Sequence, residues 1–333
     1  MASGDSQGDS SGSGDARPSA LQIIKDNELQ GKLVGKFAVI TGASSGIGVE
    51  TARALAATGI KLFLPVRNRE KAEAALRGFF DPERMELIDM DHSSLESVRA
   101  GAEGILAKTD KINILVENAG IMAVPDLQHS KDGYELQFAT NHLSHFLLFQ
   151  LLKPALLAAS TTELQSRVVV VSSAGHRGSG LNDPGNYNFE RGGYDGWAAY
   201  SQSKTANIYM ASELERRYLS RGLHATSVHP GLIATDLGRN LPEDQLQSIL
   251  QNEAMKNSWK SVEQGAATTI WAAVSKEWEG RGGKYLADCS ETVLGDGDPS
   301  GPEPTYVKHT YNAEGEARLW KDSLAMVGLK DGD

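Results

Sequence analysis

The 333 residues hold a single cysteine, Cys289. No disulfide can form within the chain, and nothing points to an oxidising compartment. No apolar run reaches the roughly 18 residues needed to span a membrane. The nearest, FLLFQLLKPALLAA, carries Lys153 and Pro154 and reads as a buried helix. Basic residues are in deficit, 33 Lys and Arg against 43 Asp and Glu, for a net charge of −10. That deficit excludes a sequence-independent grip on nucleic acid or on an anionic membrane, both of which need basic surface. It still allows a local basic pocket around a phosphate. The N-terminus lacks the charged-then-apolar pattern of a secretion signal, and no internal repeat occurs. His142 and His145 have no cysteine or carboxylate cluster beside them, so no metal is assigned and they read as packing or surface residues. A cytoplasmic protein is the expectation.

What is present is an alternation. Residues 1–19 are rich in Gly, Ser and Asp and are expected to form a disordered tail, because they cannot bury enough apolar area to offset ordering entropy. From about residue 36, short β-branched runs alternate with helical patterns. KFAVIT, KLFLPVR, MELIDM, INILVEN, RVVVVSS, HATSVHP and GGKYLAD are the candidate strands. Near-continuous apolar strands between amphipathic helices indicate an α/β fold: a Rossmann-type doubly wound parallel sheet of about seven strands, helices on both faces. One catalytic domain is expected over 20–290, followed by an extension over 291–333. Segments 176–197 and 231–262 break the rhythm and are the expected walls of a substrate site.

The first strand leads into TGASSGIG, Thr41 to Gly48, and a helix follows at once. Gly42, Gly46 and Gly48 let the backbone turn sharply and approach a ligand, while the helix N-terminus offers free N–H groups to a pyrophosphate. Farther on, AYSQSKTAN puts Tyr200 and Lys204 on one helical face. Together these motifs resemble the short-chain dehydrogenase/reductase superfamily. TGASSGIG is similar to its cofactor loop, Tyr200 and Lys204 to its Tyr-x-x-x-Lys, and ENAG to its Asn-Ala-Gly element. TNHLSHF, VVVVSSAGH and HPGLIATDL resemble, in turn, its structural Asn, its catalytic Ser and its Pro-Gly segment. The resemblance covers roughly residues 34 to 290, and the retinol-dehydrogenase-like branch is nearest in flavour.

The resemblance implies a nicotinamide cofactor and a role for each matched residue. Tyr200 would be the proton donor, with Lys204 drawing its acidity below the usual phenol value near 10 and binding the nicotinamide ribose. Ser173 would hold the substrate oxygen, in preference to Ser172, and Asn141 would hold a relay water. Ser44, Ser45 and Ile47 belong to the phosphate loop. Asn118, Ala119 and Gly120 would allow close cofactor approach; Pro230, Gly231, Ile233 and Thr235 would lie along the nicotinamide. Asp91 would contact adenine or cap a helix, or both. The second strand ends in Val66, Arg67 and Asn68 with no carboxylate, which turns the expectation toward NADP, since a guanidinium suits a 2′-phosphate. Glu117 stands where the family often has a smaller or neutral residue, and the sequence offers no reason for it.

Tyr187, Phe189, Tyr194 and Trp197, with Leu232, Leu241, Leu246, Ile249, Met255 and Trp259, suggest a pocket for an apolar ketone, aldehyde or secondary alcohol. The reductive direction is favoured. An oxidative alcohol dehydrogenase and a non-catalytic NADP-sensing regulator stay open beside it. The two long helices carrying Asn141 and Tyr200 are the expected contact of a homodimer, and EARLWKDSLAMV reads as an amphipathic helix on the same subunit or a partner.

Overall fold

The computed structural model describes residues 12–296 and 304–331. Most of the tail expected over 1–19 therefore lies outside the described residues. The described part of it, 12–19, is tied down. Gly14 N–H donates to Gln264 Oε1 (2.9 Å), Gln264 Nε2 donates to the Asp15 and Arg17 carbonyls (3.2 and 3.1 Å), and the Arg17–Asp15 ion pair is buried against the segment after residue 257. Gln264 supplies both a donor and an acceptor, which a composition argument cannot see.

Among the described residues ten strands form: β1 (Phe37–Ile40), β2 (Lys61–Val66), β3 (Met85–Asp89), β4 (Ile114–Glu117), β5 (Ser166–Val171), β6 (Leu223–His229), β7 (Leu232–Ile233), β8 (Trp259–Lys260), β9 (Tyr285–Ala287) and β10 (Ser290–Glu291). Eight of them make one sheet in the order β10-β9-β6-β5-β4-β1-β2-β3, parallel except for the antiparallel β10 at its edge, while β7 and β8 pair separately. The strand order reverses between β1 and β4. In such sheets ligands bind at that reversal, beyond the carboxyl ends of the strands.

The helices are α1 (Ala20–Asp26), α2 (Gly46–Ala57), α3 (Arg69–Leu76), α4 (Leu95–Leu106), α5 (Leu136–Phe138), α6 (Ser144–Ala159), α7 (Gly196–Tyr218), α8 (Glu243–Leu250), α9 (Val262–Gly265), α10 (Ala267–Val274) and α11 (Ala313–Met326). Strand residues alternate between two cores, as a pleated backbone requires. Ile40, Val116 and Val169 pack with α1, α2 and α10; Val39, Leu115, Val168 and Val170 pack with α4, α6, α7 and α11.

The extension after residue 290 is built into the second core. Trp320 of α11 is fully buried, with ring centroids 5.0 Å from Phe146 and 6.1 Å from Phe149 of α6, and Arg217 of α7 stacks on it at 4.7 Å. The amphipathic helix thus lies on its own subunit. It occupies the α6–α7 face on which a homodimer contact was expected. Among the described residues, no helix is long and apolar enough to cross a membrane.

Candidate active site

Four loops meet at the carboxyl ends of β1, β4, β5 and β6. The first is the glycine turn. Gly42 (φ 75°) presses on the β4 loop, where a Cβ would lie 2.8 Å from Ala119 Cα. At Gly48 a Cβ would meet the Gly42 carbonyl at 2.2 Å, so only hydrogen fits. Asn118 Nδ2 donates to the Thr41 carbonyl (2.9 Å), bonding backbone across neighbouring strands. Thr41 Oγ1 accepts the Asn118 and Ala119 N–H groups at 2.8 and 2.9 Å. Ser45 precedes α2 without capping it through its side chain, which leaves the first-turn N–H groups for an outside anion. Ser44 is half-buried beside it. Opposite, Thr235 packs over Gly46, where a Cβ would be 3.1 Å from the threonine methyl, and Ile233 and Ile47 share a contact at Gly265. A glycine cradle, an uncapped helix start and a facing threonine fit a dinucleotide.

At the adenosine end, Arg67 is exposed just after β2. Asn68 caps α3, accepting the Lys71 N–H at 2.8 Å. Asp91 accepts from the Ser93 N–H and hydroxyl at 3.0 and 2.7 Å. Burial opposes its ionisation, yet these bonds, with Lys131 and Arg67 near, hold it below the usual carboxylate range. Ser94 caps α4, so the cap considered for Asp91 falls to its neighbour.

The reacting groups sit on α7 and the β5 turn. Tyr200 and Lys204 are each 3 % exposed, with Lys204 Nζ 5.7 Å from the phenol ring centre and donating to the Val171 carbonyl (3.1 Å). Tyr200 and Ser173 converge on the same turn: a Cβ on Gly175 would lie 2.8 Å from Tyr200 Cε1 and 3.4 Å from Ser173 Oγ. Ser172 instead donates to the Lys204 carbonyl at 2.8 Å, so the two serines face opposite ways along the strand. Asn141 lies in a π-turn (Ala139–Leu143) that leads into α6, a local distortion common at functional sites. Its amide brackets Ile121, donating to the carbonyl and accepting from the N–H, both at 2.9 Å, and donates also to Ser203 Oγ. A Cβ on Gly120 would lie 3.2 Å from Asn141 Oδ1 and 3.6 Å from Lys204 Nζ. The fold thus brings Asn141, Lys204, Tyr200 and Ser173 together with Gly120.

The electrostatics differ from the sequence reading in one respect. Burial pushes the Tyr200 phenol up to about 12, opposed by the Ser173 hydroxyl, and brings Lys204 down to about 8. Desolvation outweighs any pull of Lys204 on the phenol, because both groups have been taken out of water together.

A cleft of about 410 Å³ opens beside Tyr200, lined by Ala174, Gly175, Gly178, Ser179, Trp197 and Ser201, among others. Of the four aromatics expected to wall it, Trp197 does so, edge-on to Tyr200 at 6.2 Å. Tyr187 belongs to the core instead, stacked on Phe138 at 5.2 Å and donating to Asp322 (2.7 Å). Phe189 meets Tyr194 edge-on, and Tyr194 donates to the Val124 carbonyl.

A second tier lies behind these groups, and the sequence assigns none of its members a role. His145 is buried, its Nδ1 3.0 Å from the Asn141 carbonyl and its Nε2 2.9 Å from Thr41 Oγ1, so it joins the π-turn to the phosphate loop. A carbonyl only accepts, so Nδ1 carries the proton and the Thr41 hydroxyl donates to Nε2. The i+4 spacing from Asn141 was the available signal. Lys260 reaches the Pro230 carbonyl (3.3 Å), pairs with Asp288 and packs on Gly231 (φ 100°), thereby shaping the Pro-Gly segment. Glu117 is fully buried, among the described residues neither of its carboxylate oxygens is hydrogen-bonded, and burial raises its pKa well above the usual range. Among the described residues, no group of three or more His, Cys, Asp or Glu is placed to hold a metal ion.

Comparison with known proteins places the chain beside the same family that its motifs resemble. The short chain dehydrogenase family profile matches residues 36–246. A short-chain dehydrogenase/reductase of Penicillium roqueforti is 48% identical over 327 residues, 96% of this chain and 93% of its own. An oxidoreductase of Penicillium decumbens is 45% identical over 330 residues, 96% of this chain and 95% of its own. Among solved structures, an uncharacterised protein from Mycobacterium paratuberculosis aligns with a TM-score of 0.67 at 32% identity, covering 90% of this chain and 95% of that one.

Proposed function

This chain belongs to the short-chain dehydrogenase/reductase family, and from that premise we propose that it is an NADP(H)-dependent reductase of apolar ketones or aldehydes. The observation that carries the reading is the convergence of Tyr200 and Ser173 about Gly175, which lines the neighbouring cleft, with Lys204 Nζ 5.7 Å from the phenol ring one helical turn behind. A bound reduced nicotinamide supplies the hydride for the carbonyl carbon. The chain must supply the rest. Ser173 donates a hydrogen bond to the carbonyl oxygen and stabilises the charge that develops there. Tyr200 delivers its phenolic proton to that oxygen, leaving an alcohol product and a phenolate that the Lys204 ammonium stabilises. Lys204 and Asn141 then stand where a proton can return to Tyr200.

Two features favour the reductive direction with NADP. A phenol pushed up to about 12 is kept protonated, ready as an acid, at any physiological pH. Arg67 follows β2 in a strand end, Val66-Arg67-Asn68, that carries no acid of its own, while Arg69 is committed to Asp89 (2.9 Å) and the Leu87 carbonyl (2.7 Å). A non-catalytic sensor would have no use for the Ser173–Tyr200–Lys204 arrangement. The test is NADPH oxidation across a panel of aromatic and aliphatic ketones and aldehydes, with Tyr200→Phe as control. The reading expects turnover that the variant loses while still binding NADPH. Turnover retained by Tyr200→Phe would remove the acid assignment.

A further inference from the structure

Outside the reacting groups, a continuous set of hydrogen bonds surrounds the turn that carries Ser173. The carbonyl of Ser173 accepts from His176 Nδ1 at 2.7 Å, and the N–H of Ala174, the other side of the same peptide, donates to His229 Nδ1 at 3.2 Å. That peptide is therefore held on both sides by imidazoles from different strand ends. A carbonyl only accepts, so His176 carries its proton on Nδ1, and its Nε2 must accept. The donor is the hydroxyl of Thr310, 3.0 Å away in the C-terminal extension, which itself accepts the Val307 N–H at 3.0 Å. His309 Nε2 donates to the His176 carbonyl (2.9 Å), and Tyr209 of α7 donates to the His309 carbonyl (2.6 Å). His176 and Thr310 are both fully buried. The turn is tight against the phenol, since a Cβ on Gly175 would lie 2.8 Å from Tyr200 Cε1.

We propose that His176 and His229 clamp the Ser173–Ala174 peptide, and that Thr310 sets His176, making the C-terminal extension a positioning part of the active site. The proposal rests on the roles given above to Ser173 and Tyr200. Neither imidazole touches the reacting atoms; both fix where the Ser173 hydroxyl points. Burial keeps both neutral, His176 brought down to about 4 and His229 to about 3, so each retains one donor and one acceptor nitrogen at working pH.

The experiment compares His176→Asn, whose side-chain amide can replace Nδ1–H, with His176→Leu, which cannot, and Thr310→Ser with Thr310→Val. Ketone turnover, NADPH affinity by fluorescence and the melting temperature are read on the full chain, together with 15N-histidine NMR of the NADPH-saturated protein. A misplacement near 1 Å costs on the order of 10²-fold. His176→Leu should therefore lose about ten- to a hundredfold in kcat, with NADPH affinity within about twofold. His176→Asn should recover most of that loss, and Thr310→Ser should recover what Thr310→Val loses. The NMR spectrum should show His176 as the Nδ1–H tautomer, displaced in Thr310→Val. Equal kcat for the Asn and Leu variants, NADPH affinity falling in step with kcat, or an Nε2–H tautomer would overturn the clamp. Ser173→Ala and Tyr200→Phe run alongside. If those two turn over normally, the catalytic reading has failed, whereas the tautomer and the Thr310 link still report on the clamp by themselves.

Discussion

Burial leaves Lys204 titrating at about 8 and Tyr200 at about 12, so the lysine is the residue whose charge changes within the working range. Reduction needs Tyr200 protonated and Lys204 charged. Below about pH 8 both conditions hold; above it the ammonium is lost and the phenolate left by proton transfer loses its support. Reductive kcat/KM should therefore be level on the acid side and fall above about pH 8 as one proton is lost. Lys204→Arg should be slower yet lack that falling limb, because a guanidinium stays charged; an unchanged limb would assign the titration elsewhere. Arg67 makes a separate prediction. Charge-assisted hydrogen bonds contribute about 1.5–3 kcal/mol, so Arg67→Glu should weaken NADPH binding by roughly ten- to a hundredfold. NADH binding should change far less, and equal effects on both would sink the phosphate assignment. Glu117 gives a stability test. Its folded-state pKa is raised, so the folded chain favours the protonated acid while the unfolded chain ionises above about pH 4. Stability attributable to this group thus falls as pH rises from that point. Glu117→Gln removes the loss, and the melting-temperature difference between variant and parent should widen from pH 5 to pH 8.

At the scale of elements, the β1–α2 turn is the part most narrowly specified by local chemistry. Gly48→Ala puts a methyl 2.2 Å from a backbone carbonyl that belongs to the same loop, and no side-chain motion relieves it. Either the loop opens or α2 moves. The N–H groups that would meet the pyrophosphate then no longer converge on one point. Dinucleotide affinity measured by NADPH fluorescence should drop by roughly tenfold or more, equivalent to about 1.4 kcal/mol or above, while circular dichroism keeps its helical content. Unchanged affinity would show that the loop does not hold the pyrophosphate. Such turns are legible in sequence because glycine is demanded by backbone geometry, and the demand is local. The same holds for the Tyr200–Lys204 spacing; the preference for Ser173 over Ser172 comes from the family pattern, and in the fold Ser172 donates to the Lys204 carbonyl instead. Asn141 was legible as a residue but its π-turn was not, nor was the His145 ring whose Nδ1 lies 3.0 Å from the Asn141 carbonyl within it. Glu117 stood out in the sequence, and the structure sharpens the oddity: a buried acid with no hydrogen-bonding partner among the described residues.

Across the whole molecule, what stayed hidden was long-range pairing. The contacts seating the extension join Tyr134 to Met326, Tyr187 to Asp322 and His142 to Ser323, and no local pattern announces any of them. The α6–α7 face, expected to meet a second copy, is filled by α11. Trp320 is buried against Phe146 and Phe149, Arg217 bonds Asp331 at 3.0 Å, and His142 Nε2 lies 2.8 Å from Ser323 Oγ. Pairing through that face would require α11 to leave, and losing the Trp320 contacts alone costs about 3–5 kcal/mol. A second copy would have to repeat those contacts while also meeting the entropy cost of association. Light scattering should therefore give the mass of one chain at micromolar concentration. Trp320→Ala should lower stability by about 3–5 kcal/mol and, by loosening α11, expose Phe146 and Phe149, so that self-association appears in the variant alone. A parent chain that scatters as a dimer, with cross-links mapping to α6 and α7, would mean that α11 swings out in solution.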